Sequence, residues 1–209
     1  LLGSKGLERS RVSILAAITR LRQAACAPAL VGGDGIPSCK IDLFLDLVDE
    51  LVSEGHRALV FSSFTKFLGL IETRLQEKKI TYQYLDGRTR DRSAKVKAFQ
   101  NGDDPLFLIS LKAGGVGLNL TAADYVIILD PWWNPAAEQQ AADRAYRIGQ
   151  DKPVMVYRIV TTDSIEERVL RLQEEKKRLV GDLALEGLAK ALDAGDVEKL
   201  FARSLAVGS

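Results

Sequence analysis

The sequence predicts an α/β protein, in which a parallel sheet with helices on both faces carries helical extensions at its N- and C-terminal ends. Two observations lead to this prediction. Between residues 40 and 160, short apolar runs alternate with segments of helical periodicity, and repeated β-α units fold into parallel sheets covered on both sides. Several runs are continuously apolar, as expected of strands that are buried on both faces.

The elements of the central segment follow in order along the chain. Apolar residues at helical spacing predict helices over about 41–52 and 67–75, and a shorter basic helix around Val96 and Phe99. The predicted strands are Ala58–Phe61, Thr81–Leu85, Leu106–Ile109, Tyr125–Leu129 and Val154–Val160. We assign residues 40–162 to this domain.

Helical segments flank the predicted sheet on both sides. Residues 1–39 form a helix that ends in a loop rich in Gly and Pro. The apolar residues at helical spacing in this helix are Ile14, Leu15, Ile18 and Leu21, with Arg20 and Arg22 flanking the last of them. Residues 163–209 are also predicted to be helical, and Asp163 followed by Glu166 resembles a capping box. The residues of this second helix that face one way are Ile165, Val169 and Leu172.

The composition excludes several classes of protein. The chain has 209 residues, with 29 Lys and Arg against 28 Asp and Glu, so it is not a histone-like polycation. Two cysteines and no signal-peptide pattern argue against a disulfide scaffold and favour a reducing compartment. His56 is the only histidine, which leaves little for a histidine-based triad or metal site. No apolar run approaches the roughly 20 residues of a membrane helix.

The strongest local signal is the segment Gln140–Gln150, with the sequence QAADRAYRIGQ. Start signals ahead of it and a glycine near its end predict a helix over about 135–147. On that helix Gln140, Arg144 and Arg147 share one face. Two guanidinium groups and an amide side by side suit a phosphate. The alternative is a solvated helix end, whose cations face the negative pole of the helix dipole.

The segment Ser110–Leu120, SLKAGGVGLNL, directly follows a predicted strand. Gly114, Gly115 and Gly117 would let backbone N–H groups approach a phosphate, with Lys112 at the mouth. The same glycines could equally form a plain tight turn. The segment is not a Walker A loop, because no Gly-Lys-Ser/Thr sequence occurs in the chain. It also lacks the spacing of a dinucleotide-binding fingerprint.

The segment Asp86–Lys97, DGRTRDRSAKVK, carries five cations against two acids. In a chain of nearly neutral charge, such a local excess suggests contact with a polyanion. The alternative is an ordinary solvated face.

The segment Asp130–Pro135, DPWWNP, holds both tryptophans of the chain, Trp132 and Trp133. They would either cap the sheet and pack on a helix, or form an aromatic wedge or stacking surface beside nucleic acid.

Taken together, these motifs resemble the second motor lobe of Swi/Snf-type ATPases, enzymes related to superfamily 2 helicases that translocate on duplex DNA. The resemblance covers about residues 10–180. It rests on the segments ALVFSSF, YLDGRT, SLKAGGVGLNLTAADYVIILDPWWNP and QAADRAYRIGQ, and RLRQAACAPAL resembles the helical segment leading into this lobe. The resemblance implies a RecA-like fold for residues 40–162. It also implies a C-terminal helix that braces back across the two lobes.

The resemblance implies ATP with Mg²⁺ as cofactor, bound mainly by an N-terminal lobe outside this chain. Arg144 and Arg147 match the family's arginines that reach across the cleft to the γ-phosphate. Gln140 matches the glutamine that helps to couple the nucleotide to lobe closure. Gly117 and Asn119 fall in a segment that borders the nucleotide. An arginine supplied from a second element is typically worth about 10³–10⁵ in rate.

The resemblance also implies contacts to double-stranded DNA. The positions that match the family's strand-contacting and backbone-contacting motifs are Ser62, Ser63, Arg88, Thr89, Ser110, Lys112, Gly114 and Gly115. Trp132 or Trp133 would lie near DNA at the edge of the motor. Phosphate contacts carry no sequence information, so binding should tolerate any DNA sequence.

The chain contains no Walker A loop and no DExH box, which in this family belong to the first lobe. We therefore expect the C-terminal half of a longer ATPase that does not hydrolyse ATP alone. Its expected partners are duplex DNA and the N-terminal RecA-like lobe of the same protein, with no membrane. The expected compartment is the bacterial or archaeal cytoplasm, with the nucleoid, or the nucleus of a eukaryote.

Two other functions remain open from the sequence. One is a sibling superfamily 2 enzyme that acts on RNA or unwinds strands, against which the RIGQ and WWNP segments argue. The other is a free-standing nucleotide-binding domain or a regulatory binding module. A pair of arginines without a P-loop argues against a complete nucleotide site.

Overall fold

The computed structural model describes the backbone of residues 4–113, 120–132, 143 and 153–180, and the side chains between residues 13 and 175 of these ranges. In chain order, the elements of this part are α1 (Ser4–Cys26), a 3-10 turn (Pro28–Val31), α2 (Cys39–Ser53), β1 (Ala58–Ser62), α3 (Thr65–Glu77), β2 (Tyr82–Leu85), α4 (Arg92–Asn101), β3 (Leu106–Ser110), β4 (Tyr125–Ile128), β5 (Met155–Arg158) and α5 (Ile165–Val180).

The five strands form one parallel sheet in the order β2-β3-β1-β4-β5. In the pairing of β1 with β3, Ser62 lies opposite Ser110 at the carboxyl ends of the two strands. From β1 the chain crosses to β2 on one side, whereas from β4 it continues to β5 on the other. The carboxyl ends of β1 and β4 therefore flank a topological switch point, where open α/β sheets form their ligand-binding crevice.

Helices cover both faces of the sheet, which confirms the predicted fold class. Alternate strand residues point to opposite faces, because the side-chain period of a strand is two. Val60, Leu108 and Ile127 pack in the cluster that contains the buried residues of α2 and α3. On the other face, Phe61 packs in a cluster with Phe99 of α4. Burial of each such side chain contributes roughly 1.5–3 kcal/mol.

Local signals fix where several helices begin and end. Ser38 caps α2 by accepting a hydrogen bond from the backbone N–H of Ile41. Asp91 caps α4 in the same way, with Ala94 as the donor at 2.8 Å. Gly55 adopts a φ of +76°, a left-handed conformation that favours glycine, in the turn between α2 and β1.

The predicted strands lie where the sequence indicates, with small differences at their ends. β5 spans only Met155–Arg158 of the predicted Val154–Val160. It is an edge strand, and the side chains of Met155, Val156 and Tyr157 are 40–48% exposed. Among the described helices, none combines the length and apolar composition needed to cross a bilayer.

The two helical extensions pack on each other. Ile18 of α1 is fully buried against the predicted apolar face of α5, which consists of Ile165, Val169 and Leu172. Leu15 and Leu21 share the apolar spacing of α1, but they are 47% and 46% exposed. The predicted apolar stripe of α1 is therefore only partly covered by the rest of the described chain.

The capping box predicted from Asp163 and Glu166 is wrong by one residue. Asp163 has a left-handed φ of +53°, and the hydroxyl of Ser164 accepts the hydrogen bond from the N–H of Glu166. Glu167 reaches back to the N–H of Asp163 at 3.3 Å. The carboxylate of Glu166 instead points inward to Lys40. The buried ion pair, which sequence spacing does not reveal, sets the register of this helix start.

Candidate functional site

Seven of the residues predicted to contact DNA lie in the described part of the chain, and all are at carboxyl ends of strands. They belong to β2, β3, β1 and β4, which are consecutive in the sheet. These residues are Arg88 and Thr89 after β2, Ser110 and Lys112 at the end of β3, Ser62 and Ser63 at the end of β1, and Trp132 after β4. Because neighbouring strands lie about 4.8 Å apart, the four ends form one continuous edge.

The turn after β2 is organised by Asp86. Its Oδ1 accepts hydrogen bonds from the N–H of Arg88 at 2.8 Å and from the hydroxyl of Thr89 at 3.3 Å. Thr89 in turn accepts a bond from the N–H of Asp86. Burial raises the pKa of the neighbouring Tyr84 to about 12, and Asp86 acts in the same direction. The turn leaves the Arg88 side chain exposed.

The acids of the basic segment 86–97 bind backbone groups. Asp86 serves the turn after β2, and Asp91 caps α4. Within the described residues no carboxylate forms an ion pair with Arg88 or Arg90, and both side chains are exposed. The local excess of cations is therefore open to solvent.

The end of β3 combines a buried serine with an exposed lysine. Ser110 is 3% exposed, and its hydroxyl oxygen accepts a hydrogen bond from the N–H of Ala113 at 3.3 Å. Lys112 is exposed two residues later, and the described residues offer it no carboxylate partner. The main chain between them is tied to β1, since the N–H of Leu111 donates to the carbonyl of Ser62.

A buried carboxylate occupies the crevice between β1 and β4. Asp130 is fully buried, and it accepts hydrogen bonds from the hydroxyl of Ser62 at 2.5 Å and from the N–H of Ser63 at 3.0 Å. Burial raises the pKa of Asp130, while Arg22 and the two serines act in the opposite direction. Ser62 has no exposed surface and Ser63 is half-buried. In this arrangement Ser62 holds Asp130 and offers no surface to a DNA strand.

Arg22 of α1 reaches into the same crevice. Its guanidinium donates to Asp130 Oδ2 at 3.0 Å, to the carbonyl of Pro131 at 2.8 Å and to the hydroxyl of Ser63 at 3.2 Å. The side chain is only 2% exposed. One arginine therefore bridges the loops that follow β1 and β4.

Aromatic rings flank this guanidinium. The carbon of the Arg22 guanidinium lies 5.0 Å from the ring centroid of Phe64 and 5.3 Å from that of Trp132. Trp132 is half-buried, and its carbonyl accepts a hydrogen bond from the side-chain amide of Gln173 in α5. Trp132 thus packs within the protein and also retains exposed surface beside the strand ends.

A second buried ion pair lies behind the crevice. Lys40 Nζ contacts Glu166 Oε2 at 2.5 Å and donates to the carbonyls of Leu129 at 2.9 Å and Ile159 at 3.2 Å. The lysine and the glutamate are 2% and 0% exposed. This pair ties α2 and α5 to the ends of β4 and β5.

The only histidine lies at the opposite, amino edge of the sheet. His56 Nδ1 is 2.7 Å from Asp124 Oδ2, and the N–H of Arg57 donates to the same carboxylate. Burial of Asp124 acts to raise its pKa, but these hydrogen bonds outweigh that effect and hold the pKa below its usual value. His56 therefore belongs to a packing cluster remote from the carboxyl edge.

The remaining predicted site residues lie outside the described part of the chain. They are Gly114, Gly115, Gly117, Asn119, Trp133, Gln140, Arg144 and Arg147. Their predicted roles stay predictions.

Comparison with known proteins assigns this chain to a family. The sequence pattern of the helicase conserved C-terminal domain matches residues 39–149, which is more than half of the chain. The chain belongs to this family. The match includes the ends of β1, β2, β3 and β4, where the exposed cations and the buried crevice of this helicase domain lie.

Relatives of this helicase domain include proteins of chromatin remodelling and DNA repair. The chain is 45% identical over 142 residues to Protein CHROMATIN REMODELING 24 of Arabidopsis thaliana, which is 66% of this chain and 13% of that protein. It is 41% identical over 172 residues to DNA repair protein rad8 of Schizosaccharomyces pombe, 79% of this chain and 15% of that protein. The chain therefore spans a small part of the length of the curated relatives that it matches.

A solved structure supports the same assignment. The helicase domain matches the Sulfolobus solfataricus SWI2/SNF2 ATPase core in complex with dsDNA with a TM-score of 0.71 and 29% identity, over 90% of this chain and 41% of that one. Together with the sequence relatives, this match confirms a C-terminal lobe of the Swi/Snf type with the predicted RecA-like fold.

Sequence reasoning missed the buried polar residues of the helicase lobe. Arg22, Lys40 and Gln173 all reach strand ends from helices, and none was predicted as a site residue. One signal was available for Arg22. It lies four residues after Ile18 and four before Cys26, both fully buried, so a cation interrupts the apolar face of α1.

Proposed function

We propose that this helicase lobe is the C-terminal half of an ATP-driven motor that translocates on double-stranded DNA. The observation that carries the proposal is the polar edge formed by four consecutive strand ends. At that edge Arg88 and Lys112 are exposed, and the two acids of the basic segment 86–97, Asp86 and Asp91, bind backbone groups. Exposed cations on a continuous edge suit a phosphate backbone.

The direct DNA contacts of the proposal differ from one residue to the next. Arg88 and Lys112 would neutralise phosphates. Ser63 and Thr89 are half-buried, so they would make a smaller contribution to DNA contact. Ser62 and Ser110 are buried, so their part is to hold the strand ends in place. Gly114, Gly115 and Trp133 stay in the proposed set on the strength of their motifs. Trp132 would contact DNA with its exposed surface.

On the nucleotide side, we propose that Arg144 and Arg147 act as arginine fingers and that Gln140 couples the nucleotide to lobe closure. Gly117 and Asn119 would border the nucleotide. The N-terminal lobe would bind most of ATP and Mg²⁺, and this chain alone would be inactive. Phosphoryl transfer depends mainly on positioning and charge stabilisation, which an arginine from a second lobe supplies only when the lobes close.

This division of labour explains directional motion. Each lobe would grip the phosphate backbone, and ATP-dependent closure would move one grip relative to the other. The relatives in remodelling and repair support a role on DNA in the nucleus, or on the nucleoid in a cell without one. The contacts carry no sequence information, so movement would not depend on the DNA sequence.

The test of the arginine assignment uses a protein that contains both lobes. Arg144→Ala should lower ATP turnover on duplex DNA by about 10³-fold or more, because the transition-state charge loses its partner. Arg171→Ala is the control, since Arg171 is an exposed arginine of α5 whose partner is Glu167 at 3.6 Å. DNA affinity should be nearly unchanged in both variants. Undiminished turnover by Arg144→Ala would contradict the assignment.

A further inference from the structure

The segment that follows β4 is held by two helices from outside the sheet domain. The guanidinium of Arg22, from α1, binds the carboxylate of Asp130 and the carbonyl of Pro131. The side-chain amide of Gln173, from α5, donates to the carbonyl of Trp132. Three consecutive residues are thus anchored by two side chains that lie 151 positions apart in the sequence, at 22 and 173.

The two anchoring helices form one unit. Ile18 of α1 packs on the apolar face of α5, which includes Val169. The hydroxyl of Thr161, just before α5, donates to the carbonyl of Ala25 near the end of α1 at 2.9 Å. Because the helices are joined in this way, the two anchors hold the segment 130–132 against a common support.

The chemistry of Arg22 favours a geometric role over simple packing. A buried guanidinium loses its hydration, and an apolar side chain of similar volume would fill the same space without that cost. Its planar fork instead meets acceptors on two loops, at Ser63, Asp130 and Pro131. The rings of Phe64 and Trp132 also pack against this guanidinium. These contacts specify one arrangement of the loops after β1 and β4.

We propose that Arg22 and Gln173 are positioning residues for the motor: they fix the segment Asp130–Trp132, which precedes the proposed arginine fingers in the sequence. The inference rests on the proposed function, because residues 133–150 follow directly in the sequence and carry the proposed arginine fingers. Displacement of catalytic groups by about 1 Å can lower a rate about 10²-fold. Loss of either anchor therefore lowers kcat, while KM for ATP changes little.

The test compares matched variants of the two-lobed protein. Arg22→Lys keeps the charge but loses the fork, and Gln173→Met keeps the volume but loses the donor. The controls are Arg20→Lys, an exposed arginine of the same helix that donates to the carbonyl of Val31, and Arg171→Lys on α5. We expect kcat for duplex-stimulated ATP hydrolysis to fall about 10-fold or more in both test variants and less than twofold in the controls.

Two further measurements distinguish a positioning role from a merely structural one. They are the coupling between substitutions in their effects on kcat and the rate of amide hydrogen exchange. If Gln173 acts through the arginine segment, Gln173→Met should lower kcat much less when Arg144→Ala is already present, because the two effects share one step. Amide exchange should become faster at Asp130 and Trp132 in the test variants and remain unchanged in the controls. Fully additive effects on kcat, together with unchanged exchange, would overturn the inference.

The design also separates the inference from the proposed function. If Arg144→Ala retains full turnover, or duplex DNA fails to stimulate the unsubstituted protein, the proposed function fails. Exchange at the amides of Asp130 and Trp132 then still decides whether Arg22 and Gln173 position this segment. If the unsubstituted protein and Arg144→Ala behave as proposed but Arg22→Lys and Gln173→Met retain kcat, only the inference fails. Gln173→Met, which introduces no charge, remains informative if Arg22→Lys does not fold.

Discussion

Lys112 and Arg88 are exposed cations at the ends of β3 and β2, and the DNA-binding proposal depends on them most at the scale of single residues. Lys112→Ala and Arg88→Ala should each weaken duplex binding by a protein with both lobes. Each should also reduce the slope of log affinity against log salt by about one phosphate charge, or about 0.9. The loss should be similar for all DNA sequences, because phosphate contacts do not read bases.

Lys78→Ala is the matched control for these two changes. Lys78 is a partly exposed lysine at the end of α3, on the amino edge of the sheet, where it pairs with Asp49. Its removal changes the net charge by the same amount as the other two substitutions. Because Lys78 lies away from the carboxyl edge, the slope of log affinity against log salt should not change beyond experimental error. An equal reduction in all three variants would mean that overall charge, and not the carboxyl edge, governs binding.

Single residues also show where prediction from sequence ends. Arg88 and Lys112 are exposed, as a polyanion-contacting role requires, and the order of motifs was enough to select them. Ser62 and Ser110 belong to the same motifs but are buried, because their hydroxyls bind Asp130 and the N–H of Ala113. A motif identifies a segment of chain. The direction of each side chain depends on partners that lie far away in the sequence.

At the scale of elements, the Lys40–Glu166 pair joins α2 to the start of α5, and removal of one partner should strongly destabilise the fold. Lys40→Met would leave the fully buried carboxylate of Glu166 without its cation. Breaking a buried pair in this way typically costs 3–5 kcal/mol, and we expect a loss of about that size. The measurement is the free energy of unfolding in urea, with this chain.

The control is a surface ion pair with the same distance between nitrogen and oxygen. Lys78 Nζ lies 2.5 Å from Asp49 Oδ2, as Lys40 lies from Glu166, but the Lys78 pair is partly exposed. Lys78→Met should cost about 0–1 kcal/mol, because water screens the exposed charges. Equal losses in the two variants would show that burial does not decide the strength of the Lys40 pair.

The elements themselves were largely predictable from the sequence. Continuous apolar runs such as Leu106–Ile109 specify strands covered on both faces, and their order with the helices fixes a parallel sheet. The start of α5 was not predictable from spacing, because Glu166 is drawn into the core by Lys40, 126 residues earlier. The capping role then passes to Ser164. Tertiary contacts override local signals where a buried charge needs a partner.

At the scale of the whole molecule, the described chain combines a sheet with a polar carboxyl edge and a helical support. The family pattern covers residues 39–149, whereas α1 lies wholly before it and α5 wholly after it. Both helices nevertheless contact the strand ends, through Arg22 and Gln173. The division into residues 1–39, 40–162 and 163–209 stays a prediction, and these contacts join residues from its different segments.

The central claim is that this lobe completes an ATPase site only together with an N-terminal lobe and with duplex DNA. The most direct test is ATP hydrolysis by a protein with both lobes, measured with and without duplex DNA, beside this chain alone. We predict strong stimulation by duplex DNA in the two-lobed protein and no hydrolysis by the single lobe. Hydrolysis by the single lobe would contradict the claim, and stimulation by RNA or single strands alone would assign the motor to a different substrate.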